Sequence, residues 1–427
     1  METTSGRVEP HPDPTGSPGS DGLSSGDRPA APRRANTSAA RQWLRIGLTG
    51  KELRWVVLVY LGTRGLLLIV AIVEGAVRHH NFTHELANWD GLWYRELANK
   101  GYPTYPAHAQ TTLGFFPLYP IVIWLVAHSF SWLTTHGSIW SLTVAGIVVS
   151  GIGGLIATVL VYRLATGWWG RQSARRATAF FCLFPGAVVF SMAYAEGLLI
   201  PLAAGCILAL ERRRWLLAGV LAGFATAVQP DALVIVPVCA VAAVLELHRR
   251  GWRDPIARRS LLAPLLSVTG VSAVAVFLWA WTGTPLATFE AQHHGWGEKT
   301  DALALWHLAK RLAHEVSFKH FNHPTINLNL VIGLVGVFVL VGMLVLLFRA
   351  RRQISVEAIV WTLGIAFLSV TSEFTPPNPR LLFTAFPAVL AIGHYVTGQR
   401  YVVLLWVTGA LLVVLSWFTF VGITLRP

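Results

Sequence analysis

Residues 88–120 form a polar stretch between two long apolar runs, and the first acidic residue in it is Asp90. Trp89 precedes Asp90, and Trp93 and Tyr94 follow it, so aromatic faces of the kind that bind sugar rings surround the carboxylate. A carboxylate in this setting could act as a general base toward a sugar hydroxyl. The alternative is that Asp90 caps the helix-like segment after it, because aspartate is a preferred N-cap residue. The residues support both roles equally, and Trp89 and Tyr94 are predicted to contact the substrate.

Two further acidic residues lie at the ends of apolar runs. Glu196 follows Tyr194 at the boundary of a predicted span, where its carboxylate could bind sugar hydroxyls or pair with an arginine. The alternative is an acidic residue at a helix N-terminus, where the helix dipole favours negative charge. Asp231 interrupts an apolar hairpin, and a charge there is costly unless it is solvated or paired. We predict that Glu196 and Asp231 contact the substrate.

Two arginines are candidates for binding an anion. Arg64 lies near the middle of the first apolar run, where a charge facing lipid would cost about 2.5–3.5 kcal/mol. It is therefore either a cationic wall of a cavity or part of an internal ion pair or helix-capping contact. Arg380 follows Pro376, Pro377, Asn378 and Pro379, which make a stiff loop. The arginine fork suits a phosphate because it is bidentate and permanently charged.

The long loop after residue 283 supplies Gln292, His293 and Trp296, which combine hydrogen-bond donors, an imidazole and an aromatic face. We predict that these three residues contact the substrate. A metal site would need further carboxylate or histidine partners, and none is evident. No metal site and no cofactor are predicted, and dependence on a divalent cation is left open.

The composition is that of a membrane protein. Hydrophobic residues make up 54% of the 427 residues, charged residues only 13%, and the mean hydropathy is +0.53. Several apolar runs approach or exceed the length of about 18 residues that crosses a bilayer. The net charge of +13 could suggest nucleic acid, but the arginines lie in short clusters between apolar runs. Such clusters indicate cytoplasmic loops, so the bilayer, and no nucleic acid, is the predicted partner.

An all-α polytopic bundle of about eleven spans follows from these runs, with twelve as the alternative. The predicted spans lie near residues 55–77, 139–164, 177–193, 196–210, 215–229, 231–246, 260–283, 326–348, 356–374, 381–397 and 401–424. A twelfth span at 116–133 would place the arginines of 163–176 outside the cell. We therefore predict that 116–133 is a re-entrant or interfacial helix on the outer side. Residues 1–50, rich in Pro, Ser and Gly, are predicted to be a disordered cytoplasmic tail before a membrane domain over 51–427.

An ordered set of motifs resembles one glycosyltransferase family. It comprises Trp89-Asp90 with Tyr94, Gly101-Tyr102, the run at 115–120, Tyr194-Ala195-Glu196, the region 281–296, and Asn378-Pro379-Arg380. This set is similar to the PIG-V family, the GPI second-mannose transferases and their bacterial relatives, of the membrane GT-C type. One departure is Gln229-Pro230-Asp231-Ala232, where the family often has Arg-Pro-Asn/Asp-Gly. This departure weakens any assignment of phosphate binding to that turn.

The resemblance implies a GT-C fold and a defined reaction. Mannose would pass with inversion from a polyprenyl-phosphate donor to a lipid-anchored or glycan acceptor. Asp90 would be the general base, and arginines such as Arg380 would stabilise the departing phosphate. The protein would lie in a bacterial plasma membrane, with its active site facing outside. A transporter or flippase is the main alternative, but transporters bind near mid-membrane and only Arg64 and Asp231 are deep in this sequence.

Overall fold

The computed structural model describes residues 48–79, 81–104, 110–129, 139–316, 327–373 and 375–421. Within these ranges the chain is helical, and the only β contact is an isolated bridge between Thr300 and Ser372. The prediction of an all-α fold is confirmed. The predicted disordered tail falls almost entirely on residues outside the described ranges, and the first helix begins at Gly50.

The described ranges contain eighteen α-helices, numbered in chain order. They are α1 (Gly50–Arg78), α2 (Phe82–Glu85), α3 (Asp90–Lys100), α4 (Leu118–Ser129), α5 (Ile139–Leu183), α6 (Glu196–Glu211), α7 (Trp215–Thr226), α8 (Ile235–Arg250), α9 (Pro255–Arg259), α10 (Leu262–Ser267), α11 (Thr269–Thr282), α12 (Ala287–Ala291), α13 (Ala304–Val316), α14 (Leu328–Ala350), α15 (Val356–Thr371), α16 (Pro379–Thr384), α17 (Phe386–Tyr395) and α18 (Gly398–Phe420). Three 3₁₀ turns (Thr112–Gly114, Pro185–Phe190 and Pro230–Val234) and one π-helical turn (Gln292–Trp296) lie between them.

Within the described ranges, six continuous helical stretches are long and apolar enough to cross a membrane. They are Gly50–Arg78, Ile139–Leu183, Pro230–Arg250, Pro255–Thr282, Leu328–Ala350 and Gly398–Phe420. Four shorter apolar helices also occur in the described ranges: Leu118–Ser129, Trp215–Thr226, Val356–Thr371 and Phe386–Tyr395. A membrane-spanning helix needs about 20 apolar residues. The protein is therefore a multi-pass membrane protein, but the predicted count of about eleven spans is not confirmed.

Helix α4 occupies most of the segment that was predicted to be re-entrant. It has 12 residues, which span only about 18 Å, whereas the hydrocarbon core is about 30 Å thick. It packs against α3 and α5. Residues 130–138, which continue the segment, lie outside the described ranges. The re-entrant placement of 116–133 thus stays a prediction.

Helix α5 differs from the predicted pair of spans at 139–164 and 177–193. It continues to Leu183 through a kink at Gly170, whose φ of 79° places it outside helical geometry. Pro185 then opens a 3₁₀ turn that ends at Phe190, because proline cannot extend the helix but suits its first position. The span predicted at 177–193 is therefore wrong. The second half of α5 and the 3₁₀ turn occupy that stretch instead.

Two glycines let the elements that carry the site approach closely. Gly197, in the first turn of α6, lies so near α5 that an added Cβ would clash with the backbone of Ser150. Gly186 lies against the carbonyl of Pro379, where an added Cβ would clash as well. These contacts place the first residue of α6 and the first turn of α16 next to the same bundle core.

Candidate active site

A cavity of about 1060 Å³ is lined by polar and aromatic side chains from several separate parts of the chain. Asp90 and Trp89 come from the start of α3, and Asp231 from a 3₁₀ turn. The loop after α12 supplies Gln292, His293 and Trp296, and α16 supplies Arg380. The structure thus brings seven of the ten predicted site residues to one cavity. The other three, Arg64, Tyr94 and Glu196, do not line it.

The guanidinium of Arg380 bridges two carboxylates at the cavity wall. Its Nη1 donates to Asp90 Oδ2 and its Nε to Glu196 Oε1, each at 2.5 Å. The Asp90 side chain is 28% exposed, whereas that of Glu196 is only 1% exposed. Glu196 therefore touches Arg380 from behind the cavity wall, while Asp90 reaches the cavity itself. We name Asp90, Arg380 and Glu196 the carboxylate–arginine triad.

Helix ends place all three members of the triad. Asp90 and Glu196 are the first residues of α3 and α6, where the helix dipole favours negative charge. Asn378 caps α16 by accepting a hydrogen bond from the Leu381 amide at 2.9 Å. Pro379 takes the first position of α16, as is common for proline, and Arg380 follows it. The dipole alternative for Glu196 is thus present together with an ion pair.

Tyr194 lies beneath the triad. The Arg380 guanidinium carbon is 5.0 Å from the centre of the Tyr194 ring, and the Asp90 amide donates to the Tyr194 hydroxyl at 3.3 Å. The Tyr194 backbone is anchored on Ser150 of α5, because its amide donates to Ser150 Oγ at 3.1 Å and its carbonyl accepts from Ser150 Oγ at 2.9 Å. The fully buried Tyr119 hydroxyl also lies 2.7 Å from that oxygen. A rigid buried network therefore supports the ion pairs.

Burial and neighbouring charges shift the pKa values of Arg380, Tyr94 and Tyr194. Burial lowers the pKa of Arg380, but the carboxylates of Glu196 and Asp90 outweigh burial, and the pKa lies well above its usual value. Burial, and then the charge of Asp90, raises the pKa of both Tyr94 and Tyr194 well above the ordinary value. At neutral pH, Arg380 is charged and both phenols keep their protons.

Asp90 does not cap its helix. The cap position is Trp89, which makes no side-chain cap hydrogen bond, and the structure gives the Asp90 carboxylate one contact, through Oδ2 to Arg380. The capping alternative for Asp90 is therefore wrong. Trp89 has an unusual positive φ of 60°, and its indole donates to the Thr419 carbonyl at 3.2 Å. This arrangement fixes one carboxylate oxygen of Asp90 and leaves Oδ1 without a described hydrogen-bond partner.

An aromatic wall lines the same cavity as Asp90 and Arg380. Trp93 stacks on Phe115 at 6.1 Å between ring centres, and Trp296 meets both rings edge-on at 5.4 and 5.5 Å. Gln292 Nε2 donates to the Gly114 carbonyl at 2.9 Å, which ties the loop after α12 to this wall. Flat indole faces beside hydrogen-bonding groups are suited to a sugar ring. Gly114 is required here, since an added Cβ would lie 2.6 Å from a Trp296 ring atom.

The Arg64 side chain binds the C-terminal end of α5 and the turn after it, and it does not line the cavity. Its guanidinium donates to the carbonyls of Cys182 at 3.1 Å and Ala187 at 2.5 Å, and to Ser191 Oγ at 3.1 Å. The contact with Cys182 satisfies a carbonyl that α5 leaves unpaired at its C-terminus, and the other two join Arg64 to the 3₁₀ turn that follows. The capping alternative matches this geometry. Tyr94 is similarly enclosed, with its ring 5.0 Å from Phe115 and 2% exposed.

Asp231 and His293 also line the cavity. Asp231 has no hydrogen bond or ion pair from its carboxylate among the described residues, and His293 is exposed. No group of three or more histidine, cysteine or acidic side chains in the described ranges is arranged to hold a metal. The prediction that no cofactor is needed remains a prediction.

Several residues at the site were not among the predicted site residues, and they include Tyr194, Glu298 and Lys299. Tyr194 was named only beside Glu196 and in the Tyr194-Ala195-Glu196 motif, and Glu298 and Lys299 were not predicted to lie at the site. Glu298 accepts from the hydroxyls of Ser372 at 2.7 Å and Thr375 at 3.2 Å, and all five residues line the cavity. Burial raises the pKa of Glu298, although these two hydrogen bonds lower it. The sequence carries no local signal for this pairing, because it joins segments more than 70 residues apart.

A second cavity of about 900 Å³ is mostly apolar. Helices α3, α4, α7 and α11 contribute to it, with Trp124, Phe224 and Phe277 among its aromatic residues. It adjoins the first cavity along the chain, because Gly114 and Phe115 line the polar cavity while Pro117 and Leu118 line the apolar one. One short segment therefore separates a polar from an apolar chamber.

Comparison with solved structures found distant similarities. ArnT from Cupriavidus metallidurans in the apo state is 15% identical, with a TM-score of 0.44 over 75% of this chain and 56% of that one. The same protein bound to undecaprenyl phosphate is 17% identical, with a TM-score of 0.43 over 82% and 62%. The Archaeoglobus fulgidus oligosaccharyltransferase in the apo form is 12% identical, with a TM-score of 0.43 over 83% and 56%. The chain thus spans less than two thirds of each of these proteins.

No curated protein matched the sequence. A family model did match: residues 69–272 fit the Mannosyltransferase (PIG-V) family. The matched region contains Asp90, Glu196 and Asp231 and ends before Arg380. This match, which covers a little under half of the chain, confirms the resemblance to the PIG-V family predicted from the sequence motifs.

Proposed function

We propose that this protein transfers a hexose, predicted to be mannose, from a polyprenyl-phosphate donor to a hydroxyl of a lipid-anchored or glycan acceptor. The reaction would take place at the extracytoplasmic face of a bacterial plasma membrane, in a GT-C type fold. The observation that carries the proposal is the state of Asp90. One carboxylate oxygen is held by Arg380, and the other, Oδ1, is available at the wall of a cavity lined with aromatic residues.

The proposed step is a single displacement at the anomeric carbon. The acceptor oxygen forms a bond to that carbon as the bond to the donor phosphate breaks, and the electron pair of the broken bond stays on the phosphate. The proton of the acceptor hydroxyl passes to Asp90 Oδ1. A general base must lie within hydrogen-bond reach of the proton that it takes. Attack opposite the leaving phosphate inverts the sugar configuration.

The two cavities suit the two chemically different parts of such a donor. The aromatic wall formed by Trp93, Phe115 and Trp296 would bind the hexose ring. The apolar cavity would take part of the isoprenoid chain, since its lining is nearly free of polar groups. The contact predicted between Arg380 and the donor phosphate stays a prediction. In this structure the Arg380 guanidinium pairs with two carboxylates.

The transporter alternative gains no support from the deep arginine. A transporter would use mid-membrane charges to bind its cargo. The Arg64 guanidinium is instead occupied by backbone carbonyls and the Ser191 hydroxyl. The polar residues that reach the cavity come mainly from helix ends and loops. This distribution favours a catalytic site.

The substitution Asp90→Asn tests the proposed base. Asparagine keeps the shape of the side chain but cannot take the proton, so transfer should fall by about two to four orders of magnitude. The measurement is transfer of labelled hexose from a polyprenyl-phosphate donor by purified protein in proteoliposomes. The thermal unfolding midpoint should stay close to that of the wild type, because Arg380 keeps its pair with Glu196.

Asp254→Asn is the matched control. Asp254 caps α9 by accepting from the Ile256 amide at 2.8 Å, and asparagine caps almost as well. Its transfer rate should equal that of the wild type. A folded Asp90→Asn protein with nearly normal transfer would remove Asp90 from the chemistry and would refute the proposed mechanism.

A further inference from the structure

The carboxylate–arginine triad is a poor site for a second anion. Arg380 carries one positive charge, whereas Asp90 and Glu196 together carry two negative charges, so the triad has a net charge of −1 when both are ionised. The leaving group of the proposed transfer gains negative charge as the sugar departs. A cation whose own charge is not already offset is well suited to stabilise that charge.

Few cations in the described part of the cavity are of this kind. Its permanently charged lining residues are Arg380 and Lys299, and His293 and His294 add charge only when protonated. Among the described residues the Lys299 ammonium has no ion pair, and its neighbour Glu298 is bound by two hydroxyls instead. Lys299 is therefore the cation that remains available to a ligand.

Backbone pairing holds Lys299 in place. The Glu373 amide donates to the Lys299 carbonyl at 3.1 Å, and the Asp301 amide donates to the Thr371 carbonyl at 2.7 Å. Thr300, between them, forms the isolated antiparallel bridge with Ser372. The segment that carries Lys299 is thus fastened to the chain that leads into Arg380.

We propose that Lys299 binds the phosphate of the polyprenyl-phosphate donor and stabilises the charge that this phosphate gains when the sugar leaves. This inference rests on the proposed function and assigns the donor phosphate to Lys299 in place of Arg380. Arg380 then acts as a positioning residue that orients Asp90. Glu196, which is buried behind it, holds Arg380 in the required direction.

Binding of a polyprenyl monophosphate to the full-length protein in detergent tests the proposal. Lys299→Ala should weaken binding by about tenfold or more, as expected for the loss of one charge-assisted contact. Lys299→Arg should keep most of the affinity, since it keeps the charge. Lys310→Ala is the matched control: Lys310 is also exposed, but it lies over the Trp306 ring and does not line the cavity.

A neutral polyprenol is the second probe, and inorganic phosphate is the third. The affinity for polyprenol should be the same in the wild type and in Lys299→Ala, because polyprenol has no phosphate to lose contact with. Millimolar inorganic phosphate alone should compete weakly with the lipid, because it lacks the chain. Strong competition by inorganic phosphate would contradict a lipid-phosphate site and indicate a site for the free anion.

The two possible failures can be told apart. If the wild type binds the monophosphate no better than polyprenol, the proposed donor class is wrong. If the wild type prefers the monophosphate and Lys299→Ala binds it equally well, the assignment of Lys299 is wrong while the proposed function stands. A loss of polyprenol binding in Lys299→Ala would indicate a structural role for Lys299 and would also overturn the assignment.

Discussion

Removing Arg380 should destabilise the protein mainly through Glu196. In Arg380→Ala the Glu196 carboxylate stays buried, with its side chain 1% exposed, and it loses the cation at Oε1. Its other oxygen, Oε2, already has no hydrogen-bond partner. An unpaired buried charge of this kind costs about 3–5 kcal/mol. Asp90 is 28% exposed, so water can replace most of its lost contact, and its share should be about 1 kcal/mol or less.

A second substitution in the Arg380→Ala background separates the destabilisation caused by Glu196 from that caused by Asp90. Glu196→Gln removes the unpaired charge, so Arg380→Ala/Glu196→Gln should unfold at a higher temperature than Arg380→Ala alone. Asp90→Asn in the same background should restore little. The assay is the thermal unfolding midpoint of the purified protein in one detergent, and chemical unfolding gives the coupling energy. For residues in one ion-pair network this coupling should fall within about 0.5–3 kcal/mol.

Arg171→Ala provides the control for loss of an arginine. Arg171 pairs with buried Glu52 at 2.9 Å, but Glu52 also accepts hydrogen bonds from Thr49 and from the Tyr162 hydroxyl. The loss of stability should therefore be about 1 kcal/mol or less. The reasoning is refuted if Glu196→Gln fails to raise the midpoint of Arg380→Ala, or if Asp90→Asn raises it as much.

Two further predictions concern the aromatic wall and the loop beside it. Gly114→Ala should displace the Trp296 ring and raise the KM for the donor several-fold, with little change in the unfolding midpoint. Steady-state transfer kinetics would measure the KM. An unchanged KM would exclude Trp296 from sugar binding. Burial raises the pKa of Glu298, so the folded protein favours the protonated carboxyl group. The contribution of this group to stability is therefore full below the ordinary glutamate pKa, and it is lost as the pH rises through the raised pKa of the folded state. As the pH rises from 4 to 7, the unfolding midpoint of the wild type should therefore fall relative to that of Glu298→Gln. A midpoint difference that is independent of pH would contradict a raised pKa.

The helices could be predicted largely from composition and breaker residues. Apolar runs gave most helix positions within a few residues, and Asn378-Pro379 marks the start of α16 as a cap followed by proline. The span near 177–193 failed because Pro185 ends the α-helical hydrogen bonding inside an apolar run that continues beyond it. Apolar character alone does not distinguish one continuous helix from a helix followed by a 3₁₀ turn.

The candidate site could be predicted residue by residue, but its pairing could not. Asp90 and Arg380 stood out as charges at the ends of apolar runs, yet they are 290 positions apart in the chain. Their contact depends on how α3, α6 and α16 pack, which local patterns do not encode. Arg64 shows the same limit. Its position in an apolar run is compatible with a cavity wall or with a helix-capping contact, and only the position of the C-terminal end of α5 decides between them.

The last described helix has a consequence for how the protein is made. The Asn88 side chain and the Trp89 indole donate to the carbonyls of Phe420 and Thr419, in the final turn of α18. Those carbonyls are among the ones that a helix leaves unpaired at its C-terminus. Asp90 follows directly after these two residues, so its backbone is fastened to a helix that the ribosome makes after every other element of the site. During synthesis, Asp90 can reach its final position only once α18 has left the translocation machinery and packed.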